Sequence, residues 1–116
     1  MDRSLTVWSV IAFIESRVGT SIDYADIEKA VGFSQSHLRN VFASSTGVPL
    51  ARYILQRRVA RAAFDIIHGS ESILSIACKY GFTNPDTFTR AFKRATGLNP
   101  REFRRKRPAV GRSRLC

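Results

Sequence analysis

Two sets of polar side chains recur at helical spacing, and their chemistry suits paired hydrogen bonds. Residues three, four and seven positions apart lie on one face of an α-helix, so each set forms a single polar face. A guanidinium fork matches the N7 and O6 acceptors of guanine, and a carboxamide matches adenine in the major groove of duplex DNA. The pattern therefore indicates two faces suited to reading base edges. The first set contains Ser36, Arg39 and Asn40, with the apolar Ala43 on the same face at i+7. The second, outward set contains Asp86, Arg90 and Lys93 at i, i+4 and i+7, with Thr87 three residues before Arg90.

The residue types suggest different bases for these positions. Arg39 and Arg90 are candidates for guanine, and Asn40 is a candidate for adenine. Asp86 leaves two roles open, because its carboxylate either accepts from cytosine N4 or stabilises the positive end of its helix beside Pro85. A solvated surface is the alternative for any one of the other polar residues. Their matched positions in both sets favour DNA contact.

The two faces lie on a repeated scaffold. The stretch GFSQSHLRNVFASSTG at 32–47 has nearly the same skeleton as GFTNPDTFTRAFKRATG at 81–97, with one residue inserted at the second turn. A glycine for a sharp turn, a capping residue and a helix with an apolar inner face predict a helix-turn-helix in each copy. The recurring apolar positions are Leu38, Val41 and Phe42 in the first copy and Phe88, Ala91 and Phe92 in the second.

The elements that hold these faces are predicted to be helical throughout. No strand-like alternation of useful length occurs, whereas apolar residues recur every three or four positions. The first helix is expected to bury Trp8, and the sixth is expected to bury Ala95. The predicted helices run from Leu5 to Arg17, from an Asp23 cap to Gly32, from a Ser34 cap to Gly47, from Pro49 to His68, from a Ser72 cap to Gly81, from an Asn84 cap onward and from an Asn99 cap onward.

These elements predict an all-α fold of about seven helices, in which two helix-turn-helix subdomains are joined by a long linker helix. The linker would span about 30 Å, and successive major grooves on one side of DNA lie about 34–36 Å apart. The spacing therefore predicts that the two subdomains read adjacent major-groove segments. The expected divisions are an N-terminal subdomain at 1–48, the linker at 49–69, a C-terminal subdomain at 70–107 and a basic, flexible tail at 108–116.

Charge points to a polyanionic partner. The chain has 19 Lys and Arg against 9 Asp and Glu, a net charge of +10, and the excess lies in the repeated part. Nucleic acid is the favoured partner. The alternative is that the chain is a generally basic protein whose charge marks no particular partner. The tail either adds non-specific affinity or contacts nothing in particular. The expected phosphate contacts are Ser34, Gln35, His37, Lys79, Thr83, Asn84, Lys93 and Arg94, with Arg57 and Arg58 as further candidates.

Composition argues against other classes of protein. No run approaches the roughly 18 apolar residues that a membrane-spanning helix needs, so no membrane partner is predicted. Cys78 and Cys116 make no disulfide framework, which favours a reducing cytoplasm, and the separation of His37 from His68 predicts neither a metal nor a cofactor. No nucleophile, base and orienting group stand together, so an enzyme is not predicted. Cys78 lies in an apolar stripe and is expected to be buried.

Four motifs together resemble the DNA-binding domain of AraC/XylS-type transcription regulators, and in particular the stand-alone members of the MarA, SoxS and Rob type. They are VGFSQSHLRNVFASSTG, YILQRRVARA, ILSIACKYGF and TFTRAFKRATGLNPREFRR, and the resemblance covers about Leu5 to Arg107. It implies two subdomains that place recognition helices in adjacent major-groove segments. The base-reading positions that it implies are Ser36, Arg39 and Asn40, then Asp86, Thr87 and Arg90.

The resemblance also implies a monomeric activator that contacts RNA polymerase beside a promoter. Fused members carry a preceding effector-binding domain, and the position of Met1 directly before the first helix favours a stand-alone chain. Close relatives have a large aromatic residue where Ser36 stands and glutamines at Pro85 and Asp86, so the target sequence does not transfer from them. A sequence-tolerant architectural or RNA-associated protein is the second hypothesis, since it would share the charge but not the paired faces.

Overall fold

The computed structural model describes residues 3–19 and 22–106, which form seven α-helices and no strand. The all-α prediction is therefore confirmed. The predicted basic tail at 108–116 lies outside the described residues. The helices are α1 (Arg3–Arg17), α2 (Tyr24–Val31), α3 (Gln35–Thr46), α4 (Leu50–His68), α5 (Ile73–Lys79), α6 (Pro85–Thr96) and α7 (Pro100–Arg105).

Short polar side chains begin five of these helices, as the sequence predicts. Each accepts a hydrogen bond from a backbone amide of the first turn, which would otherwise have no partner. At α7 the bond is reciprocal, because Asn99 accepts from the Glu102 amide at 2.9 Å and the Glu102 carboxylate accepts from the Asn99 amide at 3.1 Å. The caps are Asp23, Ser34, Ser72, Asn84 and Asn99.

The chain divides into two compact units between Arg58 and Val59, within α4. The N-terminal unit (Met1–Arg58) closes one apolar core from α1, α2, α3 and the first part of α4. Tyr24, Phe33 and Tyr53 pack against this core while remaining partly exposed. Its buried residues are Val7, Val10, Ile14, Ile27, Leu38, Val41, Phe42, Leu50 and Ile54.

The C-terminal unit (Val59–Cys116) has a buried interior rich in aromatic rings. Phe92 is fully buried, and its ring centroid lies 5.6 Å from that of Phe88 and 5.1 Å from that of Phe103. Phe82 extends the group, 5.0 Å from Phe88. Such tilted and edge-on contacts are the favourable arrangements of aromatic pairs, so these rings tie α6 and α7 to the turn before α6.

Three burial predictions are wrong. Trp8 is 66% exposed, because α1 turns Val7, Val10 and Ile14 inward and carries Trp8 beyond the edge of that face. Ala95 is exposed because the inner face of α6 continues from Phe92 to Thr96, whose hydroxyl donates to the Phe92 carbonyl at 2.9 Å.

Cys78 is the third correction. It is exposed, although the two residues before it are buried. Each residue turns a helix by about 100°, so Ile76 and Ala77 face inward while Cys78 points to solvent. The apolar character of α5 therefore extends around its surface further than the core requires.

Candidate nucleic-acid interface

The first helix-turn-helix is formed by α2 and α3. Gly32 ends α2 with φ at +88°, a left-handed conformation that glycine adopts without steric cost. Ser34 then begins α3, and its hydroxyl accepts from the His37 amide at 3.3 Å. The three residues from Gly32 to Ser34 therefore redirect the chain between the helices, as the repeat predicts.

This turn places the predicted base-reading residues of α3 on its exposed face. Ser36, Arg39 and Asn40 are all exposed, while Leu38 and Phe42 on the other side are buried. The first polar set thus stands on a helix that its own core holds in place. That arrangement supplies donors and acceptors to a groove without disturbing the fold.

The predicted phosphate contacts beside α3 have mixed surroundings. The His37 ring packs at 4.6 Å from the Phe33 ring, and its imidazole is exposed. The Gln35 backbone amide donates to the Glu28 carboxylate at 2.5 Å, so this amide is directed at Glu28. The Ser34 oxygen caps the helix, and its hydroxyl proton is free to donate elsewhere.

The second helix-turn-helix is formed by α5 and α6. Gly81 has φ at +88°, and Asn84 caps α6 by accepting from the Asp86 amide at 2.8 Å. Pro85 occupies the first helical position, where its missing N–H costs nothing. Counted from the glycine to the capping residue, this turn (Gly81 to Asn84) is one residue longer than its counterpart before α3 (Gly32 to Ser34), which matches the insertion in the sequence repeat.

The predicted reading face of α6 is also exposed. Asp86, Thr87 and Arg90 all reach solvent, as do Lys93 and Arg94 in the last turn. Thr83 and Asn84 are exposed in the preceding turn, where hydroxyl and amide groups can donate to a phosphate. Asp86 lies in the first turn, where its charge favours the helix N-terminus, so its structural role is supported and its contact with cytosine remains a prediction.

Lys79 differs from the other predicted phosphate contacts because it has acidic neighbours. Its Nζ lies 3.1 Å from a carboxylate oxygen of Asp65 and 3.9 Å from one of Glu71. The same Asp65 oxygen accepts from the Tyr80 hydroxyl at 2.6 Å. Burial favours the neutral acid, but the bonds from Tyr80 and Lys79 outweigh it and hold the pKa of Asp65 below its ordinary value.

Replacing Asp65 with alanine should destabilise the protein by about 1–3 kcal/mol, because the buried Tyr80 side chain would lose its acceptor. Urea unfolding at neutral pH measures this. The stabilisation from Asp65 should persist above the unfolded carboxyl pKa, about 3.9, and disappear as pH falls through the lower folded value. Glu71→Ala is the control and should cost far less, since Glu71 is exposed. Equal losses of unfolding free energy in the two variants would contradict the stabilising role of the hydrogen bond between Tyr80 and Asp65.

Arg57 and Arg58, the further candidates on α4, are drawn into the N-terminal unit. Arg57 donates two hydrogen bonds to Glu15 at 2.7 and 3.0 Å, and these raise its pKa against the opposing effect of partial burial. Burial lowers the pKa of Arg58, whose Nε is enclosed without a partner among the described residues. No spacing in the sequence signals the pairing of Glu15 with Arg57, since 42 residues separate them.

Tyr24 is a residue of this surface that no pattern in the sequence singles out. The Arg39 guanidinium lies over its ring, 4.8 Å from the centroid. Tyr24 begins α2 and Arg39 lies on α3, so no helical periodicity relates them. Only the packing of the two helices brings them together.

The described part of the chain holds neither a candidate metal site nor a candidate membrane span. Residues 3–19 and 22–106 contain no group of three His, Cys, Asp or Glu side chains arranged for a metal ion. Within the same ranges, every helix is too short or too polar to cross a bilayer.

A family model described as a helix-turn-helix domain matches residues 27–106, which include α3 and α6. A transcriptional regulator from Chromobacterium violaceum, described as AraC-type, has a TM-score of 0.82 and 25% identity over 90% of this chain and 94% of that chain. The chain belongs to the AraC-type helix-turn-helix family. The family resemblance and the fold of two helix-turn-helix units are thereby confirmed.

Further relatives agree with this assignment. The AraC-type chain is 29% identical over 102 residues to the HTH-type transcriptional activator AarP of Providencia stuartii, covering 88% of this chain and 76% of AarP. It is 33% identical over 101 residues to an uncharacterised HTH-type transcriptional regulator of Staphylococcus aureus, covering 87% of this chain. That match spans only 14% of the Staphylococcus protein.

The fold of the AraC-type chain also matches the DNA-binding domain of AdpA, solved in complex with a target DNA, with a TM-score of 0.78. The identity is 20%, over 96% of this chain and 98% of that chain. Together the family match and the Chromobacterium structure identify the chain as a DNA-binding domain of transcription regulators and not as an enzyme.

Proposed function

We propose that the AraC-type chain binds double-stranded DNA sequence-specifically as a monomer and activates transcription, reading two adjacent major-groove segments with α3 and α6. The observation that carries this is the pair of exposed hydrogen-bonding faces, each on a capped helix whose opposite face is buried. Unlike faces on one scaffold suit an asymmetric site better than a palindrome, and this supports action as a single copy.

In the N-terminal helix-turn-helix, Arg39 pairs with guanine and Asn40 pairs with adenine. Ser36 contacts a guanine or an adenine through its hydroxyl. In the C-terminal helix-turn-helix, Arg90 pairs with guanine, while Thr87 and Asp86 contact neighbouring base edges. Exposure of all six side chains supports these roles. The two DNA-reading helix-turn-helix units are proposed to lie in the subdomains at 1–48 and 70–107, and α4 is proposed to set the spacing between them.

Contacts with DNA phosphates are proposed to fix the position of each helix-turn-helix on the duplex. Lys93 and Arg94 are exposed cations in the last turn of α6, and they can neutralise phosphates beside the groove. The capping turns add Ser34, Thr83 and Asn84, with Gln35 and His37 beside α3. Lys79 is proposed as a weaker contributor, because Asp65 and Glu71 already balance its charge.

Activation and its partner rest on relatives. AarP, at 29% identity, is described as a transcriptional activator, and this supports the same direction of regulation here. RNA polymerase is the partner that the family resemblance implies. The chain would contact the polymerase in the bacterial cytoplasm.

Selection of bound duplexes from a random pool, followed by hydroxyl-radical footprinting of the enriched sequence, tests the proposal. We expect one asymmetric consensus with two protected segments about one helical turn apart. Sedimentation of the complex should show one chain for each duplex. Protection of a single segment, or two chains on a palindrome, would contradict the proposed mode.

The net charge of +10 favours one other candidate, a sequence-tolerant nucleic-acid-binding protein. The same selection separates the two functions. Binding that yields no enriched sequence, while remaining steeply dependent on salt, would favour the sequence-tolerant protein.

A further inference from the structure

The orientation of Arg39 depends on a residue outside its own helix. Its guanidinium carbon lies 4.8 Å from the centroid of the Tyr24 ring, within the range of a cation–π contact. Tyr24 is half-buried and packs against the core of the N-terminal unit, so its ring cannot follow the arginine. The ring is therefore a fixed platform beneath a side chain that would otherwise sample many rotamers.

Gln35 holds the same guanidinium from its edge. In the orientation that satisfies both groups, the Gln35 amide oxygen accepts from Arg39 Nε at 3.2 Å and from Nη2 at 3.0 Å. Gln35 is itself held at the start of α3, where its backbone amide donates to Glu28. Arginine has five N–H donors, so this contact leaves one on Nη2 and two on Nη1.

The remaining donors suit one base edge. Guanine presents N7 and O6 side by side in the major groove, and the two terminal nitrogens of arginine match that pair. The cation–π contact with Tyr24 uses none of the guanidinium N–H donors as hydrogen bonds, whereas a base contact uses those at its edge. The cation–π contact and the base contact can therefore exist at the same time.

We propose that Tyr24 is a specificity-determining positioning residue, whose ring, together with Gln35, holds the Nη1 and Nη2 end of Arg39 ready for guanine. The inference rests on the proposed base-reading role of Arg39. Because the side chain is ordered before DNA arrives, less conformational freedom is lost on binding. A residue of α2, outside the recognition helix, thereby influences which base is read.

The experiment compares discrimination, meaning the ratio of Kd values for two duplexes. One duplex is selected from a random pool by the wild-type chain. The other is the same duplex with one guanine replaced by adenine, namely the guanine at which Arg39→Ala alters the preference. Tyr24→Leu should lower discrimination about two- to fivefold, the range expected for an exposed cation–π contact. Tyr24→Phe should preserve it, because the ring remains and the lost hydroxyl is buried without a hydrogen-bond partner among the described residues.

Two further variants separate positioning from a general effect on the fold. In an Arg39→Ala background, Tyr24→Leu should leave discrimination unchanged, because no guanidinium remains to be positioned. Gln35→Ala keeps the Tyr24 platform intact and should also lower discrimination in the wild-type background. Circular dichroism of each variant checks that the helices remain.

Different results overturn different statements. Unchanged or increased discrimination in Tyr24→Leu, while Arg39→Ala still alters the preference at the guanine, would overturn the positioning role of Tyr24 alone. The same would follow from an equal effect of Tyr24→Leu in the Arg39→Ala background. If Arg39→Ala alters preference at no base pair, the base-reading role itself is wrong, and the role of Tyr24 is wrong with it.

Discussion

Replacing Phe92 with alanine should lower the free energy of unfolding by about 3–5 kcal/mol, the range for truncating a buried aromatic ring. Phe92 is fully buried, and its ring lies within 5.6 Å, centroid to centroid, of both Phe88 and Phe103. Alanine would leave a cavity where α6 meets α7, and the neighbouring rings cannot fill it without leaving their own contacts. Urea unfolding followed by circular dichroism measures the loss.

Ala95 on the same helix provides the matched control, because it is exposed. Ala95→Ser should change stability by no more than about 0.5 kcal/mol. In the N-terminal unit, Phe42→Ala should reproduce the large loss, since Phe42 occupies the corresponding buried position of α3. If Phe92→Ala cost no more than the Ala95 substitution, the aromatic interior of the C-terminal unit would not hold α6 in place.

Replacing Arg90 with alanine should weaken binding to the selected duplex by about 1–3 kcal/mol and relax the preference at one guanine. Arg90 is an exposed residue of α6, and truncation would remove the paired donors that distinguish guanine from the other bases. Binding to a scrambled duplex should change much less. Fluorescence anisotropy with both duplexes, at several salt concentrations, measures the two effects.

Lys93→Ala is the comparison, because Lys93 lies one turn further along the exposed surface of α6. Its loss should weaken specific and scrambled complexes alike and reduce the salt slope by about one. Arg90→Ala should also leave the unfolding free energy nearly unchanged, since Arg90 makes no part of either core. An equal loss on both duplexes for Arg90→Ala would assign it to phosphate instead of base contact.

Local features were predicted well from the sequence because their causes are local. A side-chain acceptor at Ser34 or Asn84 lies within three residues of the amide that it caps, and Gly32 needs no distant contact to adopt positive φ. The repeat likewise predicted both turns and both exposed polar faces. Helical spacing alone decides that Asn40 lies opposite the buried Leu38 side of α3.

The width of an apolar face could not be predicted in the same way. Trp8 and Cys78 extend apolar stripes whose inner residues are correctly placed, yet both are exposed. Periodicity gives the direction in which a helix faces, but the neighbouring helices decide how much of that face they cover.

The sequence by itself therefore determined seven helices, their caps and two unlike polar faces on one repeated scaffold. Tertiary structure decided which charged groups are already engaged, since Asp65 meets Lys79 and Arg39 meets Tyr24 only when separate helices pack together. The physical reason is range. Caps and helical faces depend on neighbours within one or two turns, whereas these pairings join residues 14 and 15 positions apart, and no single helix could bring them into contact.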